Sequence, residues 1–254
     1  MGDDLMKPNL PTFIFIAGHH RSGTSLLHDI VKSHNDIEGF SNTNSPKQEG
    51  QHLQTLVLPP RALGGWKNYI FNEQSHMNEH HPLATKDTSQ QLIEQWSKYC
   101  KFNLKFFVEK SPPNLVRTRF FQALFPDSKF IITRRHPIAV ACALCASDNP
   151  RASITSVLKV IDHILLGYEI AKKDTPHLKN VLSIRYEDII LNSQQVVDTV
   201  FDFIGVPSMV PEIKLYKDLN HKYFSVWKTH YQNECGDISA LEERANVFNY
   251  SLAV

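Results

Sequence analysis

Four short apolar runs along the chain are each followed by polar residues and then by a helical pattern. They are Thr12–Ala17, Phe106–Glu109, Lys129–Thr133 and Val181–Ile184. Short uninterrupted apolar runs are typical of strands that are buried on both faces, as in a parallel sheet. The alternation predicts an α/β fold with one central parallel sheet flanked by helices. Ligands should then bind at the carboxyl ends of the strands.

Helices are predicted where apolar residues recur at the spacing of one helix face and where capping residues mark the ends. The predicted helices are Thr24–Lys32, Ser89–Tyr99, Asn114–Leu124, Ile138–Ala146, Ile154–Lys172 and Gln194–Ile204. The last of these is preceded by the capping pair Asn192-Ser193 and stops at Gly205, a residue common just beyond helix C-termini.

Residues 35–86 interrupt this alternation with a polar stretch that is rich in histidine, proline and glycine. We interpret it as an insertion that covers a substrate, although a plain surface excursion would have the same composition. Within it, residues 76–80 spell HxxEH, a zinc-peptidase arrangement that requires a helix. Helical periodicity is absent there and Pro82 follows. We therefore expect a polar loop, with a metal site as the lesser alternative.

Composition narrows the possible partners. The 254 residues include 27 Lys and Arg against 26 Asp and Glu, a balance that indicates neither nucleic-acid nor membrane binding. The four cysteines lack metal-ligand spacing and are expected to be reduced core residues. The apolar run Phe13–Ala17 is too short to span a membrane and no signal-peptide pattern precedes it. We expect one domain, residues 1–254, in a cytoplasmic protein.

The segment 13–31 reads as a strand, a glycine-bounded loop and a helix. Gly18 and Gly23 have the spacing of a phosphate-binding loop, but Thr24 stands where that motif has lysine. Backbone N–H groups at a helix N-terminus still favour an anion. A triphosphate would lose its main cation, whereas a 5′-phospho group needs only the amides and one cation, here Arg21.

The run Arg-Ser-Gly-Thr-Ser-Leu-Leu at 21–27 resembles the 5′-phosphosulfate loop of sulfotransferases that use 3′-phosphoadenosine-5′-phosphosulfate (PAPS). Motifs near 109–112, 129–137 and 181–207 extend the resemblance over most of the chain. It looks closer to bacterial and tyrosylprotein-type members than to cytosolic aryl sulfotransferases. The resemblance implies that the donor is bound by Arg21, Ser22, Gly23, Thr24 and Ser25. It gives Arg21 a catalytic role as well, in stabilising charge on the departing phosphate oxygen.

The resemblance also assigns the other end of the donor. The run Phe130–Pro137 resembles the family's 3′-phosphate segment and implies that Arg135 is the ligand of that phosphate. The family usually has a serine eight residues later, where this chain has Ala143. Cys142 is a feeble donor, and Ser147 is the remaining substitute.

Two further residues are implied in donor binding. Tyr186, in Arg185-Tyr186-Glu187-Asp188, stands at the position that packs near the adenine in the family, although a core tyrosine is an equal alternative. Lys228, in the run 225–228, resembles the late segment that folds over the donor, a weak signal.

The catalytic base is the least determined part of the site. Cytosolic aryl-sulfating relatives use a histidine where this chain has Pro112. Other branches use a glutamate after the first helix, which implies Glu49, with His52 in reserve and Glu38 a poorer candidate. A solvated loop acid is an equal alternative for Glu49. Lys110, which ends a strand at the same crevice, is also predicted to be catalytic.

These residues predict transfer of a sulfuryl group from PAPS to an acceptor hydroxyl or amine without a required metal. Adenosine 3′,5′-bisphosphate would be the product, and the acceptor, whether small molecule, glycan or protein side chain, is undetermined. A phosphate-loop kinase or NTPase is the first alternative, but it needs the missing loop lysine and carboxylates for a metal. A nucleotide-binding protein without activity is the second.

Overall fold

The computed structural model describes residues 10–148, 152–212 and 218–254. In this part of the chain a parallel sheet is built from β1 (Thr12–Gly18), β2 (Ile37–Gly39), β3 (Phe106–Lys110), β4 (Lys129–Arg134) and β5 (Val181–Arg185). Their order across the sheet is β2-β3-β1-β4-β5. The predicted parallel α/β sheet is confirmed.

The helices flank this sheet. They are α1 (Thr24–Lys32), α2 (Lys86–Trp96), α3 (Thr118–Leu124), α4 (Pro137–Asp148), α5 (Ile154–Asp174), α6 (Tyr186–Leu191), α7 (Ser193–Ile204), α8 (Leu219–His230) and α9 (Ser239–Asn246). None of these described helices is both long enough and apolar enough to cross a membrane.

The core has a layer on each face of the sheet, because successive strand side chains point to opposite faces. Phe13 and Phe15 of β1 pack on one face with residues of α2 and α3. Ile14 and Ile16 pack on the other with residues of α1 and α7. A third cluster joins α4, α5, α8 and the C-terminal residues, with Trp227 fully buried.

Several predicted boundaries are wrong for local reasons. Helix α2 begins three residues before the predicted Ser89, because Thr85 caps it by accepting a hydrogen bond from the N–H of Thr88. The predicted helix 114–124 is divided into a 3₁₀ turn, Pro112–Val116, and α3. Asn192 precedes α7 as expected but makes no side-chain cap bond in the described structure.

The polar stretch 35–86 is more integrated than its composition suggests. It supplies the edge strand β2, which the sequence did not predict, and several 3₁₀ turns. Tyr69, Ile70 and Met77 are buried in the same core layer as Phe13 and Phe15.

The four cysteines differ in burial. Cys142 and Cys145 are buried as expected, whereas Cys100 and Cys235 are partly exposed.

The strand register brings the site residues to one edge of the sheet. Gly18 of β1 lies beside Thr133 of β4, and Arg134 lies beside Arg185 of β5. On the other side of β1, Ile16 pairs with Lys110 at the end of β3. The segments that follow these strands therefore leave the sheet at the same edge, where the sequence predicts that ligands bind.

Candidate functional site

The loop after β1 is closed tightly on its neighbours. The Ser22 hydroxyl donates to the carbonyl of His19 at 2.7 Å and lies 2.9 Å from Thr133 Oγ1. A side chain at Gly18 would collide with the same threonine. Ser22 and Thr24 are buried, while Ser25 is exposed. The loop is thus fixed to β4 and leads directly into the N-terminus of α1, where backbone N–H groups favour an anion.

Two residues of this loop adopt left-handed backbone conformations. Gly23, immediately before α1, has a φ of 96°, and a Cβ there would lie 2.6 Å from Tyr186 Cδ2. Arg21 has a φ of 68°, which is uncommon for a residue with a side chain. Its side chain is exposed. Its carbonyl oxygen accepts a hydrogen bond from Arg135 Nη1 at 2.8 Å.

Arg135 is the most constrained cation of the site. Its guanidinium lies 4.1 Å from the centre of the Tyr186 ring, and Nε donates to Asn220 Oδ1 at 2.8 Å. The buried Nη2 has no hydrogen-bond partner among the described residues. Burial lowers the pKa of Arg135. Nη1 thus places Arg135 in direct contact with the loop that carries Arg21. That the two arginines hold opposite ends of one ligand stays a prediction.

The adjacent arginine is oriented differently. Arg134 lies over the ring of Phe248 at 5.7 Å, in a cavity that Lys172 also lines. Consecutive residues of a strand point to opposite faces. The two cations at the end of β4 are therefore not presented together to one anion.

Position 143, where the family pattern has serine and this chain has alanine, lies in α4. Ala143 is buried and carries no hydroxyl. Cys142 is buried too, and burial raises the pKa of its thiol to about 12. The side chain of Ser147 lies outside the described residues. None of the described positions of α4 therefore supplies the hydroxyl that the family pattern has there.

Glu49 and Lys110 form a buried ion pair. Lys110 Nζ donates to Glu49 Oε1 at 2.7 Å, and Gln51 Nε2 donates to Glu49 Oε2 at 2.6 Å. His52 Nε2 lies 3.7 Å from the second oxygen. The structure thus brings together Glu49 and Lys110, two of the three predicted catalytic residues, and the reserve candidate His52. Glu38 instead accepts hydrogen bonds from the backbone of residues 101 and 103.

A second carboxylate holds the segment that carries Glu49. Glu109 Oε1 accepts from the N–H of Gly50 at 2.9 Å and from the Ser111 hydroxyl, and Oε2 accepts from Asn114 Nδ2. Burial raises the pKa of Glu109 to about 7, against the opposing effect of these three donors. Glu109 and Lys110, consecutive residues at the end of one strand, therefore bind neighbouring residues of the same short segment.

His20 is a site residue that the sequence did not single out. Its ring packs edge-on against Trp66, and its Nε2 is buried without a partner among the described residues. Burial lowers its pKa to about 4, with Glu49 and Lys110 as its largest electrostatic neighbours. With this lowered pKa the imidazole is neutral near pH 7. The only sequence signal was its position in the loop.

Helix α8 covers Arg135 with its first turn. Asn220 bonds Nε, and the ring of Tyr223 lies 5.6 Å from the guanidinium. Lys228 lies eight residues after Asn220 in α8, which corresponds to about 12 Å at the rise of an α-helix. Its side chain is exposed. Its role remains a prediction, as does that of Tyr186, whose ring carries the guanidinium on one face.

The sequence predicts a polar loop for the HxxEH stretch, residues 76–80, and the structure confirms that it is not helical. His76 Nε2 lies 3.0 Å from Asp174 Oδ2, and Glu79 pairs with Arg119. Among the described residues, no group of three or more His, Cys, Asp and Glu side chains is arranged to hold a metal ion. The expectation of a metal-free reaction stays a prediction.

The chain was compared with a family model, with curated protein sequences and with solved structures. The sulfotransferase family model matches residues 11–211, while no curated protein sequence matches the chain. The sulfotransferase domain from the curacin biosynthetic pathway has 20% identity and a TM-score of 0.60, covering 96% of this chain and 99% of that chain. The sulfotransferase domain of the Synechococcus PCC 7002 olefin synthase has 17% identity and a TM-score of 0.61, covering 98% and 100%. Sulfotransferase STF1 from Mycobacterium tuberculosis H37Rv has 14% identity and a TM-score of 0.56, covering 92% and 76%. These structures share the fold of this chain.

Proposed function

The chain belongs to the sulfotransferase family, and from that premise we propose that it transfers a sulfuryl group from PAPS to an acceptor hydroxyl or amine. The observation that carries the proposal is the contact between Arg135 Nη1 and the carbonyl of Arg21. It joins a cation at the end of β4 to an anion-binding loop at the end of β1. A small donor with a phosphate at each end of its ribose suits this arrangement.

The residues of the site fit such a donor. The N–H groups of Gly23, Thr24 and Ser25 and the exposed Arg21 would hold the 5′-phosphosulfate, because a helix N-terminus and a cation both favour negative charge. The N–H of Ser22 already donates to the carbonyl of His19 at 3.1 Å, so Ser22 would shape the loop through its backbone and hydroxyl bonds. Arg135 would hold the 3′-phosphate, and its buried Nη2 has no partner in the described structure. A buried donor without a partner is costly, so a ligand oxygen at this atom would be stabilising.

The chemistry then requires movement of one proton. PAPS supplies the sulfuryl group, whose bond to the 5′-phosphate oxygen breaks as a bond to the acceptor oxygen or nitrogen forms. Glu49 would take the acceptor's proton as general base. Lys110, 2.7 Å from Glu49, would stabilise the carboxylate before transfer. Arg21 and the loop amides would stabilise the charge that develops on the departing phosphate oxygen.

A kinase or NTPase is less well supported. Thr24 replaces the lysine that such enzymes use on the outer phosphates. Glu109, the acid at the end of β3, already accepts hydrogen bonds from Gly50, Ser111 and Asn114. It is therefore occupied within the protein rather than directed at a metal-bound phosphate.

Transfer of labelled sulfate tests the proposal and excludes an inactive binder. The protein would be incubated with ³⁵S-labelled PAPS and fractionated lysate, and the label followed into acceptors. Wild-type protein should transfer label, whereas Glu49→Gln and Arg21→Ala should not. Glu73→Gln and Arg61→Ala are matched controls, because they make the same changes at exposed positions. Transfer to no fraction, or unchanged transfer by the first two variants, would contradict the assignment.

A further inference from the structure

Arg135 is positioned by a residue of α8. Ala143, in α4, has no hydroxyl group that could donate a hydrogen bond. Asn220, in the first turn of α8, accepts from Arg135 Nε at 2.8 Å. Its amide nitrogen donates to Glu187 Oε1 at 2.9 Å. The asparagine therefore bridges the arginine to a carboxylate that does not itself contact it.

Glu187 is a firm anchor for this bridge. Its Oε1 also accepts from the backbone N–H of His136 at 3.0 Å, and its Oε2 accepts from the Tyr250 hydroxyl at 3.1 Å. These partners come from the start of α4 and from the C-terminal segment. A carboxylate with several hydrogen bonds holds its orientation, and so orients the amide of Asn220.

The contacts leave one free direction for the guanidinium. Nε is held by Asn220, Nη1 by the carbonyl of Arg21, and one planar face by the ring of Tyr186. The group is planar and rigid, so fixing two nitrogens fixes the third. Nη2 is the donor without a partner among the described residues. An oxygen placed there would complete the hydrogen bonds of the group.

We propose that Asn220, anchored by Glu187, is a positioning residue that aims Arg135 Nη2 at the 3′-phosphate of the donor. This inference rests on the proposed function, because it assumes a donor with a 3′-phosphate. It predicts that Asn220 governs recognition of that phosphate alone. The rest of the nucleotide is held by the loop after β1, which Asn220 does not contact in the described structure.

Binding of two nucleotides tests the proposal without knowledge of the acceptor. Calorimetry would compare adenosine 3′,5′-bisphosphate with adenosine 5′-monophosphate, which lacks the 3′-phosphate. Asn220→Ala should bind the bisphosphate about tenfold more weakly, since hydrogen bonds to charged groups are among the stronger ones. Its affinity for the monophosphate should be unchanged. Asn246→Ala, the same change at an exposed position at the end of α9, should affect neither.

A double-mutant cycle then tests whether Asn220 acts through Arg135. In an Arg135→Ala background, Asn220→Ala should cause no further loss of bisphosphate affinity. An equal loss in both backgrounds would overturn the inference. So would equal weakening of both nucleotides by Asn220→Ala, or retention of the full preference for the bisphosphate. Wild-type protein that does not prefer the bisphosphate would instead contradict the proposed donor, which is a separate result.

Discussion

Replacing Glu109 with glutamine is expected to change how the stability of the protein depends on pH. The carboxyl group is fully buried at the end of β3, and burial raises its pKa from 4.5 to about 7. Between these values the folded protein keeps a proton that the unfolded chain releases. Glu109 therefore contributes stability that is fully present below the unfolded pKa and is lost as pH rises through the folded pKa.

The size of this contribution follows from the two pKa values. Integrated from about pH 5 to about pH 8, the difference between 4.5 and about 7 corresponds to about 2–3 kcal/mol of the free energy of unfolding. The buried histidines act in the opposite sense. Burial lowers the pKa of His19 to about 3 and that of His163 to about 2. Their contribution to stability is present above the ordinary histidine pKa and is lost as pH falls. The pH dependence of wild type alone therefore does not isolate the contribution of Glu109.

The assay is therefore a comparison of variants. Urea unfolding of wild type and Glu109→Gln would be followed by tryptophan fluorescence and circular dichroism at about pH 5 and about pH 8. Glutamine does not titrate, and the histidine contributions cancel between the two proteins. The free energy of unfolding of wild type should fall by about 2–3 kcal/mol more than that of the variant over this interval. Glu73→Gln, at an exposed carboxylate, should behave as wild type. Equal pH dependence of wild type and Glu109→Gln would refute the reasoning.

Three other substitutions have defined outcomes. Gly23→Ala adds backbone strain of about 1–2 kcal/mol and a side chain 2.6 Å from an aromatic ring, so it should lower both the melting temperature and nucleotide affinity. Gly64→Ala has a similar φ, 97°, without that close contact, and equal effects of the two would contradict this account. Lys110→Met should cost about 3–5 kcal/mol in denaturant unfolding, because it leaves a buried carboxylate unpaired. The double variant with Glu49→Gln should be more stable than Lys110→Met alone; otherwise the pair is not coupled. Trp227→Ala should cost about 3–5 kcal/mol by the same measurement, since the side chain is fully buried; a loss below about 1 kcal/mol would mean that α8 is not packed as described.

The sheet was predictable because its strands are short apolar runs that must be buried on both faces. All four predicted strands are present, each one residue longer at its carboxyl end. The edge strand β2 was missed because Ile37–Gly39 is only three residues long. It is defined by pairing with β3 rather than by its own pattern. Helix α6 was also missed. It follows β5 without a connecting loop, so no turn residues mark where it begins.

Motifs indicated some candidate residues by their position along the chain. Arg21 and Arg135 were indicated in this way, and the structure places them in contact. No motif fixed Glu49, which was a candidate beside His52 and Glu38, and the structure places it in an ion pair with Lys110. The roles of these residues stay predictions. Asn220 carries no comparable signal. It lies 85 residues from Arg135 in the sequence.

The buried hydrogen bonds of Glu109 were equally invisible in the sequence. They depend on how residues 49–51 cross the end of β3, which no local pattern specifies. The same holds for His20, whose neutral state results from burial rather than from its neighbours along the chain.

Nucleotide preference measured by thermal shift tests the central claim most directly. The protein would be heated with adenosine 3′,5′-bisphosphate in EDTA and, separately, with ATP and magnesium. Binding at about 100 times the dissociation constant stabilises a folded protein by about 2.7 kcal/mol. The account predicts a clear rise in melting temperature with the bisphosphate in the absence of divalent metal. Stabilisation by ATP and magnesium alone would contradict it.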